Sequence, residues 1–156
     1  MKNFLYLITC MFLFTVFGGC KKDSGASGLQ QKLQGNWFRQ NEWSADTAYH
    51  DDYTFTADHK IIIIGSVIDK QNHVRGYTSK LEGSYAINGD SLVVSNSKYY
   101  HKEGQEVAAV ADLPYKSTEL RYAQKISFIQ RDLLHLIPRP CGPAEDCLPF
   151  FVLIRK

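Results

Sequence analysis

The run from Leu81 to Val94 leaves the backbone little freedom. Tyr85 and Ile87 share one face of an extended segment, Asn88-Gly89 supplies residues that reverse a chain tightly, and Leu92-Val93-Val94 returns. Extended runs on either side of such a turn define an antiparallel hairpin. The same pattern recurs along the chain. Asn36 to Trp43 places Trp37 and Phe38 on opposite faces, Tyr53-Thr54-Phe55-Thr56 alternates, and Ala57-Asp58-His59-Lys60 turns it into Ile61-Ile62-Ile63-Ile64. Lys125 to Gln130 and Leu133 to Ile137 flank an Arg131-Asp132 turn, and Leu148 to Arg155 forms a last strand. Between Lys98 and Thr118 the pattern is weaker: Tyr99 and Tyr100 extend a strand, Val107 to Ala111 fits a strand or a helical turn, and Pro114 interrupts. About eight strands joined by short turns predict an all-β fold, an antiparallel meander that closes into a barrel, with a β-sandwich as the alternative. Helix is confined to one short segment, where Leu29 and Leu33 lie four apart and Gly35 ends the run.

Ahead of this domain stands a different kind of sequence. Lys2 gives a short positive start, and Phe4 to Phe17 is 14 residues of apolar character broken only by Thr9 and Thr15. That length suits a secretory signal and falls short of the roughly 20 residues a spanning helix needs. Gly18 and Gly19 follow, small enough for a peptidase to grip extended backbone. Phe17-Gly18-Gly19-Cys20 resembles the lipobox of bacterial lipoproteins, with Phe17 where an aliphatic residue is usual. The resemblance implies cleavage before Cys20, a lipidated cysteine as the mature N-terminus, and several acyl chains that hold the protein to a membrane. Lys21 to Gly28 is small, polar and glycine-rich, the composition of a flexible tether. The expected organisation is therefore a signal peptide over 1–19, lipidated cysteine and tether over 20–28, and the barrel domain over 29–156. Cys-Lys-Lys-Asp is also faintly similar to export signals of Bacteroidetes surface lipoproteins. The implied location is the cell envelope, on the periplasmic face of the outer membrane or on the cell surface.

Removing 19 of 156 residues leaves 137, enough for one domain with a usable core. Lys2 is the only charged side chain removed, so 17 basic residues face 16 acidic ones. This balance argues against nucleic acid as a partner, because such proteins carry a clustered basic face. Of the four cysteines, Cys10 leaves with the signal and Cys20 is the lipidation site, so Cys141 and Cys147 remain. In an exported compartment they are expected to form a structural disulfide across Gly142 to Asp146, with redox or metal roles as the alternatives. An immunoglobulin sandwich would place its cysteines far apart with a tryptophan between them. This pair is local, which favours the barrel.

Leu33-Gln34-Gly35-Asn36-Trp37 resembles the Gly-x-Trp opening of lipocalins, particularly the short lipocalin-like domains of Bacteroidetes lipoproteins. Tyr53-Thr54-Phe55-Thr56-Ala57-Asp58 and Gly83 to Asp90 are similar to that family's Phe-x-x-Asp-Gly and Tyr-x-Ile-x-Gly-Asp segments. The likeness covers residues 29–155. His59 stands where the family has glycine, and histidine tolerates a left-handed backbone better than most residues. The resemblance implies that Trp37 closes the barrel base beneath Arg155, a guanidinium stacked on an indole.

No catalytic or cofactor motif is present: there is no GxSxG, no phosphate-cradling glycine loop and no HExxH. The five histidines are scattered. His50-Asp51-Asp52 is the one tight acid–imidazole cluster and reads as a hydrophilic turn before a strand, a metal site being the minority reading. His135 lies in an apolar strand and reads as a core or barrel-facing residue. Adjacent carboxylates at Asp51-Asp52 and Glu145-Asp146 point apart along a strand or turn. Ile61 to Ile64 is apolar on both faces, so its outer face needs a cover: the short helix, the 98–121 segment or a partner. Two functions lead, ahead of a hydrolase with no recognisable motif. One is a lipid-anchored barrel that binds a small apolar ligand. The other is a structural or interaction lipoprotein with a filled barrel, contacting an envelope protein through loops and exposed aromatics.

Overall fold

The computed structural model describes residues 25–44, 46–104, 106–118, 122–138 and 151–156. Its elements are α1 (Gly25–Leu33), β1 (Gly35–Ser44), β2 (Thr47–Phe55), β3 (Lys60–Asp69), β4 (Val74–Asn88), β5 (Ser91–His101), a 3-10 turn at Val110–Asp112, β6 (Tyr115–Thr118), β7 (Tyr122–Gln130), β8 (Leu133–Pro138) and β9 (Phe151–Arg155). All strand pairings are antiparallel. β1 to β5 pair in sequence order, as do β7, β8 and β9. The ring closes where β9 returns to β1 through Trp37↔Arg155 and Phe38↔Ile154. β6 and β7 occupy one position in that ring. Lys98↔Thr118 and Val94↔Tyr122 continue a single register along the same edge of β5. Among the described residues the result is an eight-position antiparallel ring with a short helix at its N-terminal side, the all-β barrel that the turn spacing predicts.

The hairpins form where the sequence places them. Gly89, at φ +62, reverses the chain between β4 and β5. His59 adopts φ +63 in the β2–β3 turn. Register shifts at Gly65/Ser66 and Val67/Ile68 bend β3 against β4, and another at Glu82/Ser84 bends β4 against β5. Such bulges supply the local twist that lets a sheet curl into a ring.

Two ends are distinct. The base carries α1, the β2–β3, β4–β5 and β7–β8 turns and the end of β9. The mouth carries the remaining connections. Inward side chains pack the lower half densely: Trp37, Leu33, Leu134 and Leu153 have no exposure, and Phe55 and Leu92 almost none. Tyr85 meets Phe55 edge-on at 5.3 Å between ring centroids and donates a hydrogen bond to Thr56 O at 2.9 Å. The helix begins at Gly25, earlier than the sequence indicates, within the stretch read as tether. Its two glycines make it an intrinsically weak helix. Burial of Leu33 beneath the barrel supplies the tertiary packing on which short helices depend.

The isoleucine run divides as a strand must. Ile61 and Ile63 face inward, opposite Phe55 and Tyr53. Ile62 and Ile64 face outward and are half-buried. Their cross-strand neighbours are Thr54 and Asp52 on β2 and Glu82 and Lys80 on β4. Lys80 and Glu82 pair at 2.8 Å, and Tyr100 reaches Glu82 at 3.4 Å. The apolar stems of these long side chains, rather than the helix, flank the outer isoleucines.

Candidate functional site

Above the packed base the interior becomes polar. Arg39 lies two residues beyond Trp37 on β1, and Asp51 two before Tyr53 on β2, so strand alternation turns both inward. They are register partners, with Arg39 Nε 3.6 Å from Asp51 Oδ2. Their side chains retain 22% and 23% exposure, so solvent reaches this layer through the mouth. The guanidinium also lies 4.1 Å above the Phe151 ring. Phe151 and Tyr99 both pack against the core beneath.

The charge of Asp51 is felt on β5. Burial raises the Tyr99 phenol above its ordinary value, and the charge of Asp51 raises it further. Tyr99 stacks on His101 at 5.7 Å and 10°. Nδ1 of His101 is buried and meets no hydrogen-bond partner among the described residues. Gly65 opens the floor of this layer. A Cβ there would stand 2.4 Å from Ser79 Oγ and 3.2 Å from both Asp51 Oδ1 and Thr78 Oγ1. Three oxygens therefore converge on a backbone position that only glycine leaves open. The arrangement places a cation, a carboxylate, two hydroxyls, an imidazole and two aromatic rings in one layer, of which the cation and the carboxylate are partly exposed. A charged pair facing a barrel interior is costly to desolvate and contributes little to stability on its own. Chemically, the layer has donors and acceptors for the polar end of a small molecule and rings for its apolar part.

His50 and Asp52 lie in β2 rather than in a preceding turn, and they point outward, away from Asp51. His50 contacts Asp52 at 3.0 Å and stacks on Phe38 at 5.3 Å, while Lys156 reaches Asp52 at 2.5 Å. The cluster is a structural seam on the outer wall, beside a shallow hollow of about 400 Å³. His135 is also on the outer face, opposite Val152, because Leu134 and Leu136 take the inward positions of β8. Among the described residues, no group of three or more His, Cys, Asp or Glu side chains is arranged to hold a metal ion.

The base pair is built as follows. Arg155 Cζ lies 4.2 Å from the Trp37 ring centroid. Arg155 Nη1 donates to Gln34 O at 3.0 Å, its Nη2 donates to Lys32 O, and Trp37 Nε1 donates to Leu33 O at 2.8 Å. Three successive carbonyls at the end of α1 are thus satisfied by the two residues that close the ring. Asp132 Oδ1 sits 3.5 Å from Nε of the same arginine. Gly35, at φ +118, stops the helix and makes room for the guanidinium, whose Nη1 would be 3.1 Å from a Cβ there. Beside this pair, α1 and the β7–β8 turn enclose an open groove of about 770 Å³. Cys20, Cys141, Cys147 and the Glu145-Asp146 pair lie outside the described residues.

The chain matches no protein-family model and no curated protein.

Sequence reasoning singled out Trp37 and Arg155 but missed Arg39, Thr78, Ser79, Tyr99, His101 and Phe151 as a group. One signal was available: Arg39 and Asp51 each stand two positions from an inward aromatic residue.

Proposed function

We propose that this chain is an exported lipoprotein, anchored through Cys20, whose barrel binds a small ligand at its open mouth. The ligand has an apolar body, as the aromatic lining of Phe151 and Tyr99 favours, and a polar end that faces Arg39 and Asp51. The observation that carries this reading is the inward, solvent-reached Arg39–Asp51 pair above a base already filled by side chains. A barrel serving only as a rigid scaffold gains little from a charged pair at that position. The packed base confines the ligand to the upper layer, a smaller and more polar site than a hollow apolar barrel offers.

A second reading is an interaction lipoprotein that contacts an envelope protein through its rim. It is favoured by Tyr49 and Tyr115, which are 44% and 50% exposed toward the mouth end. A fragment screen followed by amide chemical shifts separates the two. Ligand binding at the mouth moves the resonances of Arg39, Asp51, Tyr99, His101 and Phe151 together. Fragments that shift only rim residues such as Tyr49 and Tyr115 favour the interaction reading.

A further inference from the structure

We propose that the base of the barrel is a membrane-docking face. In this arrangement the groove between α1 and the β7–β8 turn rests on an anionic phospholipid surface, with Lys32 and Arg131 at the headgroups and Ile129 at the acyl boundary. The inference rests on the anchor at Cys20 proposed above.

Chain length fixes which end faces the membrane. Gly25 opens α1 five residues after Cys20. Five residues span at most about 17 Å even when fully extended. A nine-residue strand such as β2 is about 30 Å long. The tether is thus too short to bring the mouth to the surface while α1 stays under the barrel. The helix crosses the base, with Gln30 contacting His59 at 2.6 Å on one side and Gly28, Gln31 and Lys32 lining the groove on the other.

Charge points the same way. Each acid of the base turns is offset by its own base: Asp58 by Lys60 at 2.6 Å, Asp90 by Lys125 at 3.0 Å, and Asp132 by Arg155 at 3.5 Å. Lys32 and Arg131 are both exposed and make no ion pair among the described residues, which leaves the groove with two cations in excess. A basic side chain beside an anionic leaflet is attracted to it. Ile129, 49% exposed, lines the same groove together with Phe128. Two cations without ion pairs among the described residues and an exposed aliphatic side chain in one groove match a headgroup layer over hydrocarbon.

The test uses the lipidated mature chain in phosphatidylglycerol vesicles whose acyl chains carry bromine, which quenches nearby indoles. Ile129→Trp reports on the base and Tyr115→Trp on the opposite end, each read as the difference from the unsubstituted chain, whose Trp37 and Trp43 set the background. The docking face predicts strong quenching at position 129 and little at 115, with the signal at 129 weakened by Lys32→Glu combined with Arg131→Glu. Mass analysis of the N-terminal peptide establishes the lipid on Cys20 in the same sample. A lipidated chain with equal quenching at both positions, or with none at 129, overturns the docking face and leaves the anchor standing. An unmodified Cys20 overturns both.

Discussion

Trp37 and Arg155 are register partners on the two strands that close the ring, and together they cap the helix beneath it. The guanidinium stacks on the indole at 4.2 Å while its two terminal nitrogens serve carbonyls of the last helical turn. A cation at that place also complements the negative end of the helix. One contact thus joins ring closure, helix termination and the floor of the barrel. Arg155→Ala is expected to cost about 2–4 kcal/mol, from charged hydrogen bonds lost together with the stacking. Arg155→Lys should fall between the two, because an ammonium lacks the planar fork that reaches both carbonyls. Urea denaturation midpoints check the order, and a lysine variant as stable as wild type would show that the fork is dispensable.

The two glycines Gly65 and Gly28 should respond oppositely to alanine. At Gly65 the added Cβ lands 2.4 Å from Ser79 Oγ, so the mouth layer must shift, at about 1–3 kcal/mol. At Gly28 nothing lies within 4 Å and the backbone is helical, so alanine should stabilise by about 0.5–1 kcal/mol. Thermal or urea unfolding of the two variants reads the contrast directly.

Asp58 should titrate far below an ordinary aspartate. The Lys60 ammonium holds its carboxyl down to about 2, with the Thr56 hydroxyl assisting. Its folded pKa lies below the unfolded value. The contribution to stability is therefore full above pH ~4 and is lost as pH falls through about 2. Carbon-detected NMR titration of the carboxyl checks the value. Lys60→Met should return it toward 3.8.

Cys20→Ser should abolish incorporation of labelled fatty acid and move the protein from the membrane pellet to the soluble fraction. Membrane retention without the label would mean that something other than the cysteine lipid holds the chain.

The fold was legible because its signals are local. Asn88-Gly89 marks a hairpin wherever it sits between strands, and His59 carries the left-handed turn that its neighbours demand. The first half of β4 was not legible, since Arg75, Thr78, Ser79 and Lys80 offer no apolar alternation and register shifts at Gly65/Ser66 and Val67/Ile68 offset their partners. The mouth was hidden for a related reason. A polar residue in a strand reads as outward, whereas Arg39 and Asp51 face each other inside the ring. Their roles emerge only once closure brings β1, β2, β5 and β9 around a common axis. His135 shows the converse error, since apolar flanking residues suggested an inward histidine while alternation sends it outside.

The most direct test of a ligand at the mouth is native mass spectrometry of the protein purified from its own membranes, compared with an Arg39→Met, Asp51→Asn double variant. The binding account predicts a small molecule that leaves the wild-type barrel on collisional activation and is absent, or reduced at least tenfold, in a folded double variant. A wild-type mass equal to that of the lipidated chain alone, or an adduct retained equally by both proteins, would contradict it.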